Sequence, residues 1–299
     1  MHGFDRFVVF GQIAQDIVAG VPELPTPGAS TSVPEVRWLL GGKGANQAVG
    51  LRQLGAVVAV AGVVGDDPIG AELLAAMLHD GIDVCGVARR GSSAVLFDVV
   101  DRSAKRMLLE HVPTSALLTA ADVRAAGHLV EHADAVCLQA QQPGDALTAA
   151  AALARRSGAI IALDGAPDAD ATDELLAAAE IVRVDATEAG ELVGFPVSSL
   201  SSGEEACRVL LARGPRVAAV EVAGAGDLVA WADGTVFLPH GDDEVVKDRT
   251  GAGDAFFVGL VRGLGREWTV ERAADLAHRA AASTVARLGG RPDLEAIAG

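Results

Sequence analysis

The chain has 299 residues, half of them hydrophobic, with 40 acidic against 24 basic side chains and a formal charge of −16. That is ample for one large α/β domain, and the acidity excludes a polyphosphate backbone, so no nucleic acid partner is expected. Cys85, Cys137 and Cys207 are widely spaced and form no CxxC, which excludes a disulfide framework and a zinc site and reads as small buried residues of a reducing compartment.

The start, "MHGFDRFVVFG", lacks a basic stretch followed by a long apolar one, so no signal peptide is expected. No run approaches the ~18 apolar residues of a membrane span, and a soluble, cytoplasmic protein without a membrane partner is expected. Residues 7–10 are continuously apolar and end at Gly11, the pattern of a buried strand. Residues 12–40 carry Pro22, Pro25, Pro27 and Pro34 and no helical period. A helix is predicted over 45–54 and a strand over 57–64, "VVAVAGVV". In "DDPIGAELLAAMLHDG", Pro68 and Gly81 bracket a further helix. Residues 93–110 alternate and turn at "DRSAK" like a hairpin. Strands are then predicted at 135–138, 159–163, 181–184 and 217–222, and helices at 145–156, 173–179 and 204–212. This alternation marks a mostly parallel sheet covered on both faces. The segments 12–40 and 93–110 break the rhythm, and a small β-layer serving as a lid is expected from them. No repeat or long linker divides residues 1–299, so a single domain is expected.

The stretch "RTGAGDAFF" at 249–257 raises a chemical question. Gly251, Ala252 and Gly253 bring bare N–H groups to the start of a helix, which makes an anion site. Asp254 follows in the first turn, where a carboxylate is favoured by roughly 0.3–1 kcal/mol. A plain capping residue is one reading. The other is phosphoryl transfer, with the amides holding the migrating group and Asp254 accepting the proton of an attacking hydroxyl. Two familiar motifs fail. "GGKGAN" at 41–46 has Gly44 after Lys43 and Arg37 in place of the first Walker A glycine, and the stretch around Gly224 and Gly226 lacks the third glycine of GxGxxG.

These residues resemble the ribokinase-like sugar kinases, the PfkB family, over nearly the whole chain and most closely in its ribokinase branch. One signature is Gly41-Gly42-Lys43-Gly44-Ala45-Asn46-Gln47-Ala48, continued by Leu54-Gly55-Ala56 and Gly65-Asp66-Asp67-Pro68-Ile69-Gly70. The other is Asp248-Arg249-Thr250-Gly251-Ala252-Gly253-Asp254-Ala255-Phe256. The resemblance implies a three-layer α/β/α sandwich with a β lid, and ATP-dependent phosphorylation of a sugar hydroxyl with Mg²⁺ and, often, K⁺. By it Asp254 is the general base, and Gly251, Ala252 and Gly253 are the anion hole. Asp16, Gly42, Lys43, Asn46 and Gln141 would face the sugar. Asp185, Glu188, Gly224, Gly226 and His278 would face the nucleotide. Glu188 would support Mg²⁺, and Asp248 with carbonyls near Gly289 would hold K⁺. A homodimer through the lid is also implied.

Each assignment has a plainer rival. Asn46 reads equally as a helix N-cap, Lys43 as a solvated loop charge, Asp16 as a turn residue, Asp248 as a surface acid and His278 as a structural histidine. Four positions depart from the family pattern. Ala14 replaces a sugar-binding Asn, and Gln141 a Glu near the sugar. Asp185 replaces the Asn that opens NxxE, and Asp227 replaces a nucleotide-contacting glycine. An acid near a triphosphate is unfavourable unless a cation offsets it, and Arg183, two residues before Asp185, is the candidate. These departures motivate two alternatives: a non-catalytic sugar- or nucleotide-binding regulator, and a nucleoside kinase of the same fold. For the latter, Trp38 is the obvious stacking residue.

Overall fold

The computed structural model describes residues 3–241 and 246–298. Strand β1 (Arg6–Phe10) is followed by β2 (Ala14–Val21) and β3 (Glu35–Gly41), then helix α1 (Lys43–Gln53), β4 (Val57–Val64), α2 (Pro68–His79) and β5 (Asp83–Arg89). The hairpin β6 (Ala94–Asp101) and β7 (Arg106–His111) precedes α3 (Ala120–Ala125), α4 (Gly127–Val130), β8 (Ala135–Gln139), α5 (Gly144–Ser157), β9 (Ile160–Asp164) and α6 (Ala169–Ala178). Next come β10 (Ile181–Val184), α7 (Ala186–Val193), α8 (Leu200–Ala212), β11 (Val217–Val222), β12 (Gly226–Trp231), β13 (Gly234–Pro239), α9 (Ala252–Gly265) and α10 (Val270–Val285).

Nine strands form one sheet in the order β13-β12-β11-β10-β9-β8-β1-β4-β5. It is parallel from β5 to β11, and β12 and β13 extend it antiparallel. The two-residue period of the strands explains why two cores flank it. On β1, Phe7 and Val9 join the core under α1, α9 and α10, whereas Val8 and Phe10 join the core under α5, α6 and α8. The result is the expected three-layer α/β/α body. Among the described residues no helix is long and apolar enough to cross a membrane.

The segments that broke the rhythm form a second sheet of four strands, in the order β3-β2-β6-β7. Its two faces differ. In register, Trp38, Ile17, Phe97 and Leu109 form one row across all four strands. That outer face is apolar, and Trp38 is 63% exposed on it. Asp16 lies on the opposite, inner face at 3% exposure. Trp38 therefore points away from Asp16, which corrects its reading as a stacking residue.

Several helices begin earlier than apolar spacing predicted. The helix expected over 204–212 starts at Leu200, because the Ser199 hydroxyl accepts the Ser202 N–H in a capping box. The helix expected over 173–179 starts at Ala169. Strands β5 and β13 carry no buried apolar run and escaped notice, as did β12, whose buried Leu228-Val229-Ala230 run is only three residues long. Cys137 and Cys207 are buried, but Cys85 is exposed, because its strand β5 forms an edge of the large sheet.

Candidate active site

In an open parallel sheet, ligand sites form where the strand order reverses, at the carboxyl ends of the strands. Here that point is the end of β1, between β4 and β8. Two helices aim their N-termini at it, and each starts from a glycine in the left-handed region. Gly42 precedes α1 with φ 83°, and Gly251 precedes α9 with φ 75°. Neither position has room for a side chain. A Cβ on Gly42 would lie 2.8 Å from the Gln12 carbonyl oxygen, and one on Gly251 would lie 2.1 Å from that of Gly290. Helical spacing then puts Lys43, Asn46 and Gln47 on one face of α1, with Asp254 opposite in the first turn of α9.

Asp254 is 6% exposed and caps nothing. Its carboxylate instead accepts from Asn46 Nδ2 at 3.2 Å and from Gln47 Nε2 at 3.3 Å. Gln47 Nε2 also donates to Asp164 at 2.8 Å. Burial pushes the Asp254 carboxyl above its usual range, and Lys43, the two amides and Arg183 pull it back. Lys43 sits above its ordinary value although burial disfavours its charge, because Asp164, Asp254 and Glu188 surround it. Its ammonium lies 3.8 Å from Glu188 Oε1. Lys43 and Asn46 are therefore inward-facing side chains, neither a solvated loop charge nor an N-cap.

Toward the small sheet, Asp16 lies in β2, not in a turn. Its carboxyl occupies the space a Cβ on Gly41 would need, 2.0 Å from that point. Burial, Asp98 and Asp254 raise its pKa to about 7, against Arg106 and the Gly42 amide. Four buried polar atoms around this region lack a hydrogen-bond partner among the described residues: Asp16 Oδ1, Asn46 Oδ1, Gln47 Oε1 and Gln139 Nε2. Buried polar atoms are seldom left so, and a polyhydroxylated ligand supplies both donors and acceptors. Gln141 is exposed and makes no side-chain hydrogen bond among the described residues. The inward amide after β8's apolar run is Gln139. Ala14 is fully buried against Ala94 and Ala116 and offers no polar group.

On the other side of Gly253 lies a cleft of about 220 Å³, lined among others by Arg183, Arg249, Ala252, Gly253 and His278. The Arg183 guanidinium stands where a Cβ on Gly253 would be, with Nη1 2.5 Å from that point. Arg183 is held by Asp164 at 3.5 Å and Glu221 at 3.8 Å. Asp227 also lines this cleft and has its own counter-ion, His240, at 3.7 Å. The neighbouring Asp227 carboxylate lifts His240 above its ordinary pKa. Gly224 and Gly226, with φ 70° and 151°, form the turn behind Asp227 and do not line the cleft.

Asp185 proves to be the N-cap of α7. Its Oδ1 accepts from Thr187 and Glu188 N–H at 2.8 Å each, while Glu188 Oε2 accepts the Asp185 N–H. Asn and Asp cap about equally well, so this departure leaves the local structure intact. The structure corrects the pairing of Arg183 with Asp185: the guanidinium goes to Asp164 and Glu221, and Asp185 is committed to backbone donors.

Asp248 is fully buried, not a surface acid. It accepts the Thr250 N–H at 2.9 Å, the Thr250 hydroxyl at 2.6 Å and the Gly289 N–H at 2.8 Å. Asp248 and Gly289 thus meet, while Glu188 stands apart beside Lys43, so the three residues do not form one metal centre. Among the described residues no group of three or more His, Cys, Asp or Glu side chains is placed to hold a metal ion. Sequence reasoning passed over Asp164, Gln139 and Gln47 as site residues. The available signal was a lone polar residue closing an apolar run, since Gln139 ends β8 and Asp164 ends β9.

Comparison with known proteins agrees with this arrangement. A family model described as pfkB family carbohydrate kinase matches residues 5–297. A ribokinase of Haemophilus influenzae is 28% identical, over 96% of this chain and 94% of its own. The ribokinase structure from Thermotoga maritima has a TM-score of 0.80 at 23% identity, covering 96% of this chain and 95% of that one. Arabidopsis thaliana ribokinase, solved with ribose and ATP, has a TM-score of 0.78 at 22% identity, covering 98% and 96%. With nearly its whole length matched by that model, the chain belongs to the pfkB family of carbohydrate kinases and is a sugar kinase.

Proposed function

We propose that the enzyme transfers the terminal phosphoryl group of ATP to a hydroxyl of a small sugar or sugar-like alcohol. One observation carries this reading. The Asp254 carboxylate lies between two amide side chains of α1 and the N-terminus of α9, bordering the unpartnered polar atoms on one side and the arginine-lined cleft on the other. The sugar occupies the first side, against Asp16, Gly42, Lys43, Asn46 and Gln139, with the inward Gln139 taking the part expected of Gln141. Its reacting hydroxyl hands a proton to Asp254, whose carboxylate is steadied by Lys43 and the Asn46 and Gln47 amides against the cost of burial. The triphosphate enters the second side beneath His278, with Arg183 and Arg249 nearby. The backbone at 251–253 receives the charge that develops on the migrating group, and Ala252 N–H also donates to the Arg249 carbonyl at 3.3 Å. The small sheet closes over the sugar as a lid and excludes water.

The metal assignments fit the donors present. Mg²⁺ bound with a nucleotide takes one or two carboxylates, phosphate oxygens and waters. Among the described residues Glu188 Oε1 accepts from no backbone donor, and it faces Lys43, so it suits that role. The ion would neutralise charge between the phosphates when bound. Asp248 accepts only neutral donors and meets no cationic side chain among the described residues, so a monovalent cation such as K⁺ fits beside it and Gly289. A homodimer would bury the apolar outer face of the small sheet. Light scattering on Trp38→Glu checks this, with a monomer the expected result.

Ribose is the first sugar to try, because the relatives named above are ribokinases. The deciding experiment is an ADP-release screen over pentoses, hexoses and nucleosides with Mg²⁺, with and without K⁺. Turnover with a sugar, abolished in Asp254→Asn, supports the reading. Full activity of Asp254→Asn removes the base. The nucleoside reading loses its stacking residue, since Trp38 lies on the outer face.

A further inference from the structure

Asp98 departs from its surroundings on the inner face of the small sheet. Its in-register neighbours there, Val18 and Leu108, are apolar, and so is Leu96 two residues before it. A carboxylate only 2% exposed is unfavourable in such a place unless it is held. Two groups hold it. Arg106, its diagonal neighbour across the β6–β7 hairpin, places Nε 2.7 Å from Oδ1. The Thr250 hydroxyl lies 3.2 Å from Oδ2, although 152 residues separate the two in sequence.

The first contact stays inside the small sheet. The second leaves it and ends one residue before Gly251. The Thr250 hydroxyl also donates to Asp248 at 2.6 Å, and Asp248 takes the Gly289 N–H at 2.8 Å. Gly290 in turn packs so closely on Gly251 that no side chain fits at 251. A continuous path therefore runs from Asp98 through Thr250 and Asp248 to both strands of backbone around the turn. One hydroxyl has one proton for two carboxylates, so the position of Thr250 depends on where the small sheet holds Asp98.

We propose that Asp98 is a positioning residue that latches the small sheet to the anion-binding turn through Thr250, so that closing the cleft and aligning the 251–253 amides are one event. Arg106 fixes the Asp98 carboxylate for this task. The inference rests on the phosphoryl-transfer reading of that turn.

A double-mutant cycle between Asp98→Ala and Thr250→Val tests it. Each single variant is expected to lower kcat by about tenfold with little change in the sugar KM, and the double variant to lose little more, a non-additivity of about tenfold. Thr250→Ser keeps the hydroxyl and restores the rate. Amide hydrogen exchange in β6 and β7 speeds up in Thr250→Val and stays unchanged in β8, β9 and β10. Additive losses in kcat, or exchange in β6 and β7 untouched by Thr250→Val, overturn the latch. Should Asp98→Ala fail to fold, Arg106→Gln replaces it in the same cycle, since it frees the carboxylate without emptying a buried position. Exchange is read without substrate, so it judges the latch even if the parent chain turns over no sugar. That second result would count against the kinase reading instead.

Discussion

On the side of Asp254 that faces the small sheet, Asp16, Asn46, Gln47 and Gln139 each bury a polar atom without a partner among the described residues. On the side that faces α10, carboxylates already stand against two of the cations, Asp164 and Glu221 against Arg183 and Asp227 against His240, while Arg249 has no ion pair and Arg183 Nε no hydrogen-bond partner among the described residues. An unsatisfied buried polar atom costs about 1–3 kcal/mol, which a ligand hydroxyl recovers on binding. A matched ion pair offers an incoming anion much less, because its carboxylate stays nearby. On the function proposed above, the first side would discriminate among alcohols, and the second would accept a triphosphate against residual negative charge.

The contrast can be broken at several points. Asp254→Asn removes the group both sides share, and kcat is expected to fall by about 10³–10⁴-fold, with circular dichroism unchanged. Activity within tenfold of the parent would dissolve the boundary between the sides. Asn46→Ala should touch only the sugar side, lowering kcat/KM for the sugar by about a hundredfold while the ATP KM holds, because the carboxylate loses a buried donor. Steady-state kinetics with each substrate varied in turn separates the two. Asp227→Gly should act only on the other side, lowering the ATP KM by about fivefold as one negative charge leaves the cleft. A raised ATP KM would mean that Asp227 serves chiefly to hold His240, and the asymmetry would need revision.

The smallest effect concerns pH. Asp16 has its folded pKa raised from 3.8 to about 7. Between those values the folded chain keeps a proton that the unfolded chain releases. Its contribution to stability is thus complete below the unfolded pKa and is lost as pH rises through the folded one. Asp16→Asn is expected to melt a few degrees above the parent at pH 8 and level with it near pH 4. Thermal melts at both pH values check the sign. The parent's kcat/KM for sugar should also rise through pH 7, as the ionised carboxylate becomes available to accept ligand hydroxyls.

Much of the fold was legible because apolar runs and turn residues are local signals. Strands β4, β10 and β11 match their predicted bounds. The helix caps at Ser199 and Asp185 were harder to see, since a capping side chain is recognised by what it bonds. Within the site, Asp254 and the residues of α1 announced themselves through glycine-rich turns. Asp164 and Gln139 did not, because a single polar residue ending a strand gains meaning only when parallel pairing sets several such ends side by side. Arg183 was noticed for the wrong partner. Sequence proximity favoured Asp185, whereas the pleat of β10 delivers the guanidinium to Asp164 on the neighbouring strand. Asp98 gave no warning at all, for its significance depends on a threonine far along the chain.

The amide of Asn46 and the carboxylate of Asp254 stand 208 residues apart along the backbone. During synthesis from the N-terminus, the half of the pocket on α1 is therefore made long before its counterpart on α9. A nascent chain lacking α9 has only one member of this pair, however well its early strands have formed. On the proposed function, sugar could not stabilise this protein through that pair until most of it had emerged from the ribosome, so any rescue of folding by substrate would come at the last stage of its making.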